Sequence, residues 1–408
     1  MSVPEIAVTG LGLVTPAGLT VTENWAALRR GRSLAAPDPE LGSLPVDFSC
    51  QVPPIDADAL LGRSRARRLD RFSLFAVLAA RQAVADAALA PDDCRGPRVG
   101  VVLGVGSNSL ATYPAAFGHL DDDRPGLVSP LALPRSVPNM AAAEISIDLG
   151  AEGPTFTLAS ACASGAGALR IARDLLRAGT CDIVLAGGSE SGRSRMTAVC
   201  FHQMRALSTR RTRPEEASRP FDADRDGFVL GEGAAVLVLE RSATAQARGA
   251  KSLALLSGCG ASSDAHHPFA PRADGRVAAR ALRSALDDAG CTPADIGQVS
   301  AHGTSTRLSD AAEAAALTRA FGGTPPPVTA PKGVIGHCLG AAGAIEAAYT
   351  VLALQHQTIP PTANFHRFDG DQELDIVAGT PRATRMTAAI SCAFGFGGHN
   401  AVTLFTTP

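Results

Sequence analysis

Lysine is almost missing from this 408-residue chain. Only Lys251 and Lys332 occur among its 37 basic residues, and arginine supplies the rest. Aromatic residues are also scarce, at 4% of the chain, and the formal net charge is only −2. A chain without a basic excess lacks the electrostatic footprint of a nucleic-acid binder, so we expect no nucleic-acid partner. The hydrophobic content of 46% argues against disorder.

Paired cysteines and long apolar runs are missing as well. The nine cysteines include no C-x-x-C pair and are odd in number, which excludes a secreted disulfide framework and a cysteine-based zinc site. No stretch of about 18 apolar residues would cross a membrane. The N-terminus has no charged leader followed by an apolar segment. We therefore expect a cytoplasmic protein without a membrane partner.

Short apolar runs alternate with longer alanine-rich amphipathic segments along the chain. Buried strands are predicted over 5–8, 99–103, 183–186 and 235–239. Helices are predicted over 71–89, 165–179, 275–290 and 340–356. This alternation indicates a layered α/β fold with a mainly parallel sheet.

Three pairs of segments repeat in the same order along the chain. Residues 162–169 resemble 338–345, residues 233–239 resemble 400–405, and residues 9–12 resemble 257–260. The shared order predicts an ancestral duplication, with a first half over 1–250 and a second half over 251–408. In such a fold the two central helices pack back to back, with their N-termini facing one cavity.

Cys162 follows a strand-like segment and a tight turn of small residues, and it precedes a predicted helix. At a helix N-terminus, free backbone N–H groups and the helix dipole stabilise a thiolate. The N–H group of the cysteine can also point at an oxyanion. Small residues on both sides equally suit a packed structural cysteine, so the partners of Cys162 decide between the two interpretations.

Two histidines, His302 and His337, lie in turns that follow strand-like segments. Breaking a carbon–carboxylate bond in a thioester leaves an enolate, which two imidazole N–H groups would stabilise. A solvated loop histidine is the ordinary alternative. A metal site built from His266, His267 and His302 is not expected, because adjacent side chains diverge and no carboxylate completes the site.

Many short motifs add a family resemblance that covers essentially the whole chain. They lie at 8–12, 137–140, 160–162, 187–188, 204–208, 218–222, 225–229, 231–233, 302–306, 336–337 and 395–398. Together they resemble the beta-ketoacyl-ACP synthases of the thiolase superfamily, most closely the type II condensing enzymes of fatty acid and polyketide synthesis. The resemblance implies a thiolase fold with a duplicated five-layer αβαβα architecture.

The resemblance also implies an acyltransferase reaction in two half-steps. Cys162 takes an acyl group from the phosphopantetheine arm of an acyl carrier protein, malonyl carrier protein loses carbon dioxide, and the enolate attacks the Cys162 thioester. His302 and His337 assist decarboxylation and hold the enolate oxygen. The backbone N–H groups of Cys162 and Phe396 form the oxyanion hole. No cofactor beyond the carrier arm, and no metal, is implied.

Further residues carry over from the family to substrate binding, namely Thr304, Thr306, Ser107, Phe201, Gly395, Gly397 and Gly398. The two threonines match hydroxyls that bind the pantetheine arm. Phe396 matches a gate that swings as substrates alternate, and its flanking glycines make that motion inexpensive. A core phenylalanine in a turn is the alternative for Phe396.

Lys332 and Glu313 match a buried ion pair near the histidines. Composition supports a special role for Lys332, because a flexible point charge is retained there in a chain that otherwise uses arginine. Since carrier proteins are acidic, the resemblance also implies a local basic patch. Arg67, Arg68 and Arg205 fall where the family docks its carrier.

Two departures from the family pattern bear on the substrate. Ser107 stands where close relatives carry an isoleucine that plugs the acyl pocket, which predicts an open pocket for a longer, stiffer or bulkier chain. Residues 307–309 replace a more usual Pro/Gly turn, and 330–333 also differ. These changes favour polyketide or specialised fatty acid synthesis over the alternative, housekeeping fatty acid elongation.

Two rival functions stay open at the level of sequence. A thiolase acting on coenzyme A thioesters would use Cys392 as a second cysteine, although Cys392 lacks the glycine setting of a thiolase base. A non-catalytic chain-length partner shares the fold but lacks the nucleophile, which Cys162 supplies here. The resemblance further implies a homodimer or a heterodimer with a chain-length-factor-like subunit.

Overall fold

The computed structural model describes residues 3–370 and 374–408. Its strands are β1 (Ile6–Val14), β2 (Ala35–Pro37), β3 (Phe48–Cys50), β4 (Val99–Gly104), β5 (Thr155–Leu158), β6 (Ile183–Glu190), β7 (Gly233–Arg241), β8 (Ala254–Ser263), β9 (Ile296–Ser300), β10 (Val328–Thr329), β11 (Thr358–Ile359), β12 (Arg382–Ala383), β13 (Ala388–Gly395) and β14 (His399–Thr406). Its α-helices are α1 (Val21–Arg30), α2 (Ala57–Leu61), α3 (Arg63–Ala66), α4 (Arg71–Asp86), α5 (Tyr113–Asp121), α6 (Ala132–Ser136), α7 (Met140–Leu149), α8 (Ser164–Arg177), α9 (Arg195–Gln203), α10 (Ser242–Ala247), α11 (Arg276–Ala289), α12 (Arg307–Ala320), α13 (Lys332–Ile335) and α14 (Ala342–His356). None of these helices is long and apolar enough to cross a membrane.

The strand order of the main sheet shows the duplication directly. Ten strands run in the order β10-β9-β13-β14-β8-β1-β7-β6-β4-β5, so the first half contributes β5-β4-β6-β7-β1 and the second contributes β10-β9-β13-β14-β8. The halves meet at β1 and β8, where Ala7 pairs with Leu255 and Val8 with Ala254. The predicted duplicated α/β architecture is confirmed, whereas the seam near residue 250 stays a prediction.

The prediction of a mainly parallel sheet is wrong. Strand β4 pairs in parallel with β5 and β6, and β9 does so with β10 and β13. The remaining neighbours in the main sheet are antiparallel. An alternation of strands and helices predicts that each strand is joined to a parallel neighbour through a crossover helix. The prediction missed that β13 returns into β14 through a tight turn without a crossover helix.

The helices form the outer and central layers around the two halves of the sheet. Helices α4 and α7 cover the first half-sheet on its outer face, and α11, with α12 beside it, covers the second. Between the half-sheets lie α8 and α14, which pack on each other. Every side chain from Ala342 to Leu354 in α14 is buried, as expected of a helix enclosed on all sides.

Small residues allow the two central helices to approach closely. A Cβ atom added to Gly165 of α8 would lie 2.7 Å from the backbone nitrogen of Ala344, and one added to Gly343 of α14 would lie 2.8 Å from that of Ala166. Two glycines of the repeated segments, Gly165 and Gly343, therefore sit at the contact between the halves. This contact brings the beginnings of α8 and α14 to one cavity.

The glycines of β1 and β8 serve the same purpose against the outer helices. An added Cβ at Gly12 would lie 1.8 Å from the carbonyl oxygen of Ala79 in α4. At the equivalent position of the second half, a Cβ on Gly260 would lie 1.9 Å from the carbonyl oxygen of Ala281 in α11. Strand and helix backbones are thus in direct contact.

We expect Gly12→Ala to lower the free energy of unfolding by about 3 kcal/mol or more, because β1 and α4 must separate to admit the methyl group. Gly118→Ala in α5 is the matched control, since its added Cβ meets no atom within 4 Å. That control should be neutral or stabilising by up to about 1 kcal/mol, the helix preference of alanine over glycine. Urea unfolding of both variants measures the difference, and equal stabilities would contradict the packing.

Candidate active site

Cys162 lies in the tight turn that joins β5 to α8. Ala161, just before it, has a φ of 49°, a left-handed conformation that costs a non-glycine residue about 1–3 kcal/mol. Two hydrogen bonds hold this turn: the backbone N–H of Ser160 donates to Ser164 Oγ over 2.9 Å, and the Ser164 hydroxyl donates to the Ala161 carbonyl over 2.6 Å. The strained turn directs the thiol into the cavity.

The end of β13 lies directly against this turn. A Cβ atom on Gly395 would be 2.8 Å from the Ser160 carbonyl oxygen and 3.1 Å from the Cys162 backbone nitrogen, so only glycine fits. The backbone N–H of Phe396 consequently reaches the Cys162 sulfur and acts to lower the pKa of the thiol. The two N–H groups expected to form an oxyanion hole, those of Cys162 and Phe396, are thus neighbours.

The structure brings both predicted histidines to Cys162. His337 follows α13, and its Nε2 lies 3.1 Å from Cys162 Sγ. His302 follows β9, and its ring centroid is 5.4 Å from that of His337. One nitrogen of each histidine and the sulfur lie within 4.8 Å of one another. The three residues therefore form one cluster.

Neighbouring donors select the tautomer of each histidine. The backbone N–H of Leu339 donates to His337 Nδ1 over 3.2 Å, and the Lys332 ammonium lies 3.2 Å from His302 Nδ1 and must donate to it. With Nδ1 an acceptor, the ring proton of each neutral imidazole is on Nε2. Burial, reinforced by the Lys332 charge, lowers the pKa of both histidines well below its usual value. Two neutral Nε2–H donors therefore result.

The predicted ion pair between Lys332 and Glu313 is wrong. Lys332, only 1% exposed, donates to Glu346 of α14 instead. Both oxygens of Glu313 are already occupied, since they accept the backbone N–H groups of His302 and Gly303 over 2.7 Å each. Glu313 thus holds the His302 loop, and burial raises its pKa to about 8.

Sequence reasoning missed two further carboxylates. Glu346 is the only acidic residue in the apolar segment 340–356, and a buried charge in such a segment requires a partner, so this signal was available. Asp310 accepts the backbone N–H of Ser305 over 3.1 Å and so stabilises its φ of 68°. No sequence pattern indicated that role.

Burial dominates the acidity of the nucleophile. It raises the pKa of the Cys162 thiol to about 11, against the opposing effects of the Lys332 charge and the Phe396 N–H. Burial thus acts against the stabilisation of a thiolate that is expected from the helix N-terminus, and the thiolate stays a prediction.

A cavity of about 340 Å³ opens onto the cluster. Among the predicted substrate-binding residues, those that line it are Thr304, Thr306, Phe201, Gly395 and Gly398. Gly397 is exposed and does not line the cavity, but its φ of 83° favours glycine. The hydroxyl oxygens of the two threonines are 3.0 Å apart.

Phe396 contacts other aromatic side chains of the cavity. Its ring centroid lies 6.1 Å from that of Phe201 and 5.7 Å from that of Phe269. Phe228 continues the row and meets His337 edge to face at 5.2 Å. The interpretation of Phe396 as a plain core residue is therefore not favoured, because its half-buried ring faces the cavity.

Ser107 is not among the residues that line this cavity, so its predicted place in an acyl pocket stays a prediction. Its side chain is exposed, and its Oγ lies 3.4 Å from Glu190 Oε1. Glu190 also accepts the backbone N–H of Gly106 over 2.7 Å and thereby fixes the start of the loop after β4.

The three predicted docking arginines are exposed. Arg205 lines the mouth of the cavity, whereas Arg67 and Arg68 lie at the end of α3, outside the residues that line it. Within residues 3–370 and 374–408, none of the three forms an ion pair, which leaves their guanidinium groups available.

Other candidate residues do not join the cluster. Cys392 is fully buried in β13 and does not line the cavity, which weighs against a second thiolase cysteine. His267 lines the cavity, but its Nδ1 accepts the backbone N–H groups of Phe269 and Ala270. His266 is exposed. The His266, His267 and His302 arrangement considered for a metal therefore does not form.

Comparison with known proteins agrees with this geometry. Residues 4–245 match the family model "Beta-ketoacyl synthase, N-terminal domain", and residues 253–366 match "Beta-ketoacyl synthase, C-terminal domain". The chain is 39% identical over 405 residues to a 3-oxoacyl-[acyl-carrier-protein] synthase 2 of Synechocystis, covering 98% of this chain and 97% of that one. A Staphylococcus aureus enzyme of the same name is 37% identical and is covered to 98%.

Solved structures resemble the chain over its whole length. The ishigamide ketosynthase/chain length factor has 33% identity and a TM-score of 0.93, with both chains covered completely. A type II PKS acyl carrier protein in complex with its ketosynthase bound to the hexaketide has 30% identity, a TM-score of 0.92 and the same coverage. A beta-ketoacyl synthase from Burkholderia phymatum has 35% identity and a TM-score of 0.93, over 99% and 100% of the two chains.

We expect Lys332→Met to lower the free energy of unfolding by about 3–5 kcal/mol, because it leaves the Glu346 carboxylate buried without its partner. The double variant Lys332→Met/Glu346→Met should recover much of this loss, since both buried charges are removed. In Lys332→Met/Glu313→Gln, by contrast, the effects should add. If stability were recovered only with Glu313→Gln, Lys332 would be paired with Glu313 and not with Glu346, which would contradict the structure. Urea unfolding of wild type, of the single variants Lys332→Met and Glu313→Gln, and of the two double variants measures these differences.

The rate of Cys162 alkylation by iodoacetamide should rise about tenfold per pH unit between pH 7 and pH 9.5. Below the thiol pKa of about 11, the reactive thiolate fraction grows in this proportion as pH rises. Peptide mass spectrometry resolves Cys162 from the exposed Cys200, which monitors the reagent. A rate at Cys162 that is already level at pH 7 would contradict a buried, protonated thiol.

Proposed function

This chain belongs to the beta-ketoacyl synthase family, and from that premise we propose that it condenses a Cys162-bound acyl group with malonyl-acyl carrier protein and releases carbon dioxide. The reaction class, that of an acyltransferase that condenses thioesters, follows from the family. The observation that carries the proposal is the pair of Nε2–H groups, on His302 and His337, that face the Cys162 sulfur.

In the first half-step the thiol of Cys162 attacks the carbonyl carbon of an acyl thioester. The new carbon–sulfur bond forms, the bond to the carrier arm breaks, and the leaving thiolate takes up the proton that Cys162 loses. The transient oxyanion accepts hydrogen bonds from the backbone N–H groups of Cys162 and Phe396. Their position beside the sulfur, enforced by Gly395, supports this assignment.

In the second half-step malonyl carrier protein occupies the emptied arm channel. The carbon–carboxylate bond breaks, carbon dioxide leaves, and the electron pair becomes an enolate whose oxygen accepts the Nε2–H groups of His302 and His337. Neutral imidazoles suit this role because they donate without offering a second proton. The enolate carbon then attacks the Cys162 thioester, and the sulfur leaves as the 3-oxoacyl product forms.

We propose that the site needs no metal or other cofactor. The Lys332 ammonium already lies 3.2 Å from His302 Nδ1 and is paired with Glu346. A divalent cation held by Cys162, His302 and His337 would bring a further positive charge close to this ammonium. The Lys332 charge supplies the polarisation of His302 that a cation would otherwise provide.

We propose an acyl carrier protein as the partner that delivers both substrates. Thr304 and Thr306 line the cavity, where their hydroxyls can bind the amide groups of a pantetheine arm. The exposed guanidinium groups of Arg205, Arg67 and Arg68 offer positive charge to an acidic carrier. A structural neighbour with 30% identity is a ketosynthase in complex with its acyl carrier protein.

We further propose pairing with a second subunit of the same fold, either another copy or a chain-length-factor-like chain. Strand β5 is at the edge of the main sheet and is open to a further strand. Around it are exposed large apolar side chains, including Phe156, Ile147 and Leu133. Another neighbour is itself a ketosynthase/chain length factor.

Two pathways compete as the setting of the reaction. The structural neighbours named for polyketides favour specialised polyketide or fatty acid synthesis. The relatives named 3-oxoacyl-[acyl-carrier-protein] synthase 2 favour housekeeping elongation. Mass analysis of the acyl group on Cys162 in the native host distinguishes the two.

Decarboxylation of malonyl carrier protein tests the proposed reaction. The wild-type protein should release carbon dioxide and leave acetyl carrier protein. His302→Ala and His337→Ala should each slow this release about 100-fold or more, the usual cost of losing an oxyanion donor. His266→Ala, which removes an exposed histidine, is the matched control and should react as the wild type does. No release by wild type, or equal rates in all variants, would refute the proposal.

A further inference from the structure

Glu190 is a buried carboxylate that has no part in the proposed reaction steps but lies beside the active site. Glu190 is the last residue of β6, and its side chain is buried. Its Oε2 accepts the backbone N–H of Gly106 over 2.7 Å and that of Gly340 over 3.2 Å. Gly106 belongs to the first half of the fold and Gly340 to the second. One carboxylate oxygen therefore joins the two halves, one residue from Leu339 of the cavity wall.

The two glycines are in direct contact. A Cβ atom on Gly340 would lie 2.1 Å from the Gly106 nitrogen and 2.7 Å from Glu190 Oε2. Both N–H groups thus converge on one acceptor, with no room for a side chain between them. Losing that acceptor would leave the buried N–H of Gly340 and the partly buried N–H of Gly106 without a partner, a costly arrangement that the turn would relieve by moving.

Gly340 is connected to His337 through Leu339, which lies between them in the turn. Leu339, the residue before Gly340, has a φ of 45°, a left-handed conformation that a bulky side chain adopts only when its surroundings impose it. Its backbone N–H donates to His337 Nδ1 over 3.2 Å. That donation keeps the ring proton on Nε2, which lies 3.1 Å from Cys162 Sγ.

We propose that Glu190 is a positioning residue for His337. By accepting the N–H of Gly340, its carboxylate keeps the turn at Leu339 in place. The Leu339 N–H then stays bonded to His337 Nδ1, so His337 remains an Nε2–H donor. The inference rests on the proposed function, because it assigns the maintenance of one of the two enolate donors. The proposed role depends on the length of the Glu190 side chain, which lets its oxygen reach Gly340, and does not depend on the charge of the carboxylate.

The two half-steps depend differently on this arrangement. If the Leu339 turn moves, the His337 proton can shift to Nδ1, and Nε2 then presents a lone pair to the cavity. Decarboxylation loses one of its two donors. Loading of Cys162 uses the backbone N–H groups of Cys162 and Phe396, so it should continue.

Two variants separate reach from charge. Glu190→Gln keeps the length of the side chain and can accept both N–H groups through its amide oxygen, while its NH₂ faces Ser107 Oγ. Glu190→Asp keeps the carboxylate but is shorter by one methylene group, so it cannot span the contact to Gly340. Burial raises the pKa of Glu190 to about 7, so both charge states exist near neutral pH and an amide is a fair mimic.

The experiment measures both half-steps in the full-length protein, namely carbon dioxide release from malonyl carrier protein and acyl loading of Cys162 by intact mass. Glu190→Asp should slow decarboxylation about 10-fold or more while loading stays within about threefold of wild type. Glu190→Gln should keep both rates within about threefold. Glu240→Asp, at a buried carboxylate that accepts from Thr9 and Arg248, is the matched control and should change neither rate.

The opposite pattern would overturn the inference. Slow decarboxylation in Glu190→Gln with normal rates in Glu190→Asp would show that the reaction needs the charge of Glu190 and not the length of its side chain. A parallel loss of both half-steps in Glu190→Asp would indicate a general packing role. Failure of the wild type to decarboxylate malonyl carrier protein would instead refute the proposed function, which this measurement reports separately.

Discussion

The buried ion pair between Lys332 and Glu346 is the constraint on which the site depends. Two charges removed from water are costly unless each is fully partnered, and here the ammonium is shared between Glu346 and His302 Nδ1. That single charge directs the His302 proton to Nε2, disfavours protonation of both histidines and opposes the effect of burial on the Cys162 thiol. A guanidinium, planar and fork-shaped, would not meet these partners in the same way.

Duplication explains how one cavity acquires complementary groups. The turns at Cys162 and Cys338 are equivalent in the two halves, and each contains a non-glycine residue with positive φ, Ala161 in one and Leu339 in the other. Cys162 faces the cavity, whereas Cys338 is buried and donates to the Glu232 carbonyl oxygen over 3.3 Å. The first turn therefore supplies the nucleophile, and the second supplies the N–H group that orients its histidine partner.

Features that depend on short stretches of the chain could be predicted from the sequence. The helices α4, α8, α11 and α14, the turn at Cys162 and the loops at His302 and His337 follow from short motifs, and the scarcity of lysine pointed to Lys332. The partner of Lys332 was missed because α13, which begins at Lys332, and α14, which carries Glu346, meet only in the folded chain. No sequence pattern indicated that a distant carboxylate, Glu190, accepts the backbone N–H of Gly106 and so fixes the loop that carries Ser107.

Neutron diffraction from deuterium-exchanged crystals locates the exchangeable proton on each imidazole ring and so shows which nitrogen donates. We expect deuterium on Nε2 of both His302 and His337, with Nδ1 bare and accepting from Lys332 and from the Leu339 backbone N–H. Deuterium on Nδ1 of either ring, or on both nitrogens of one ring, would contradict this expectation.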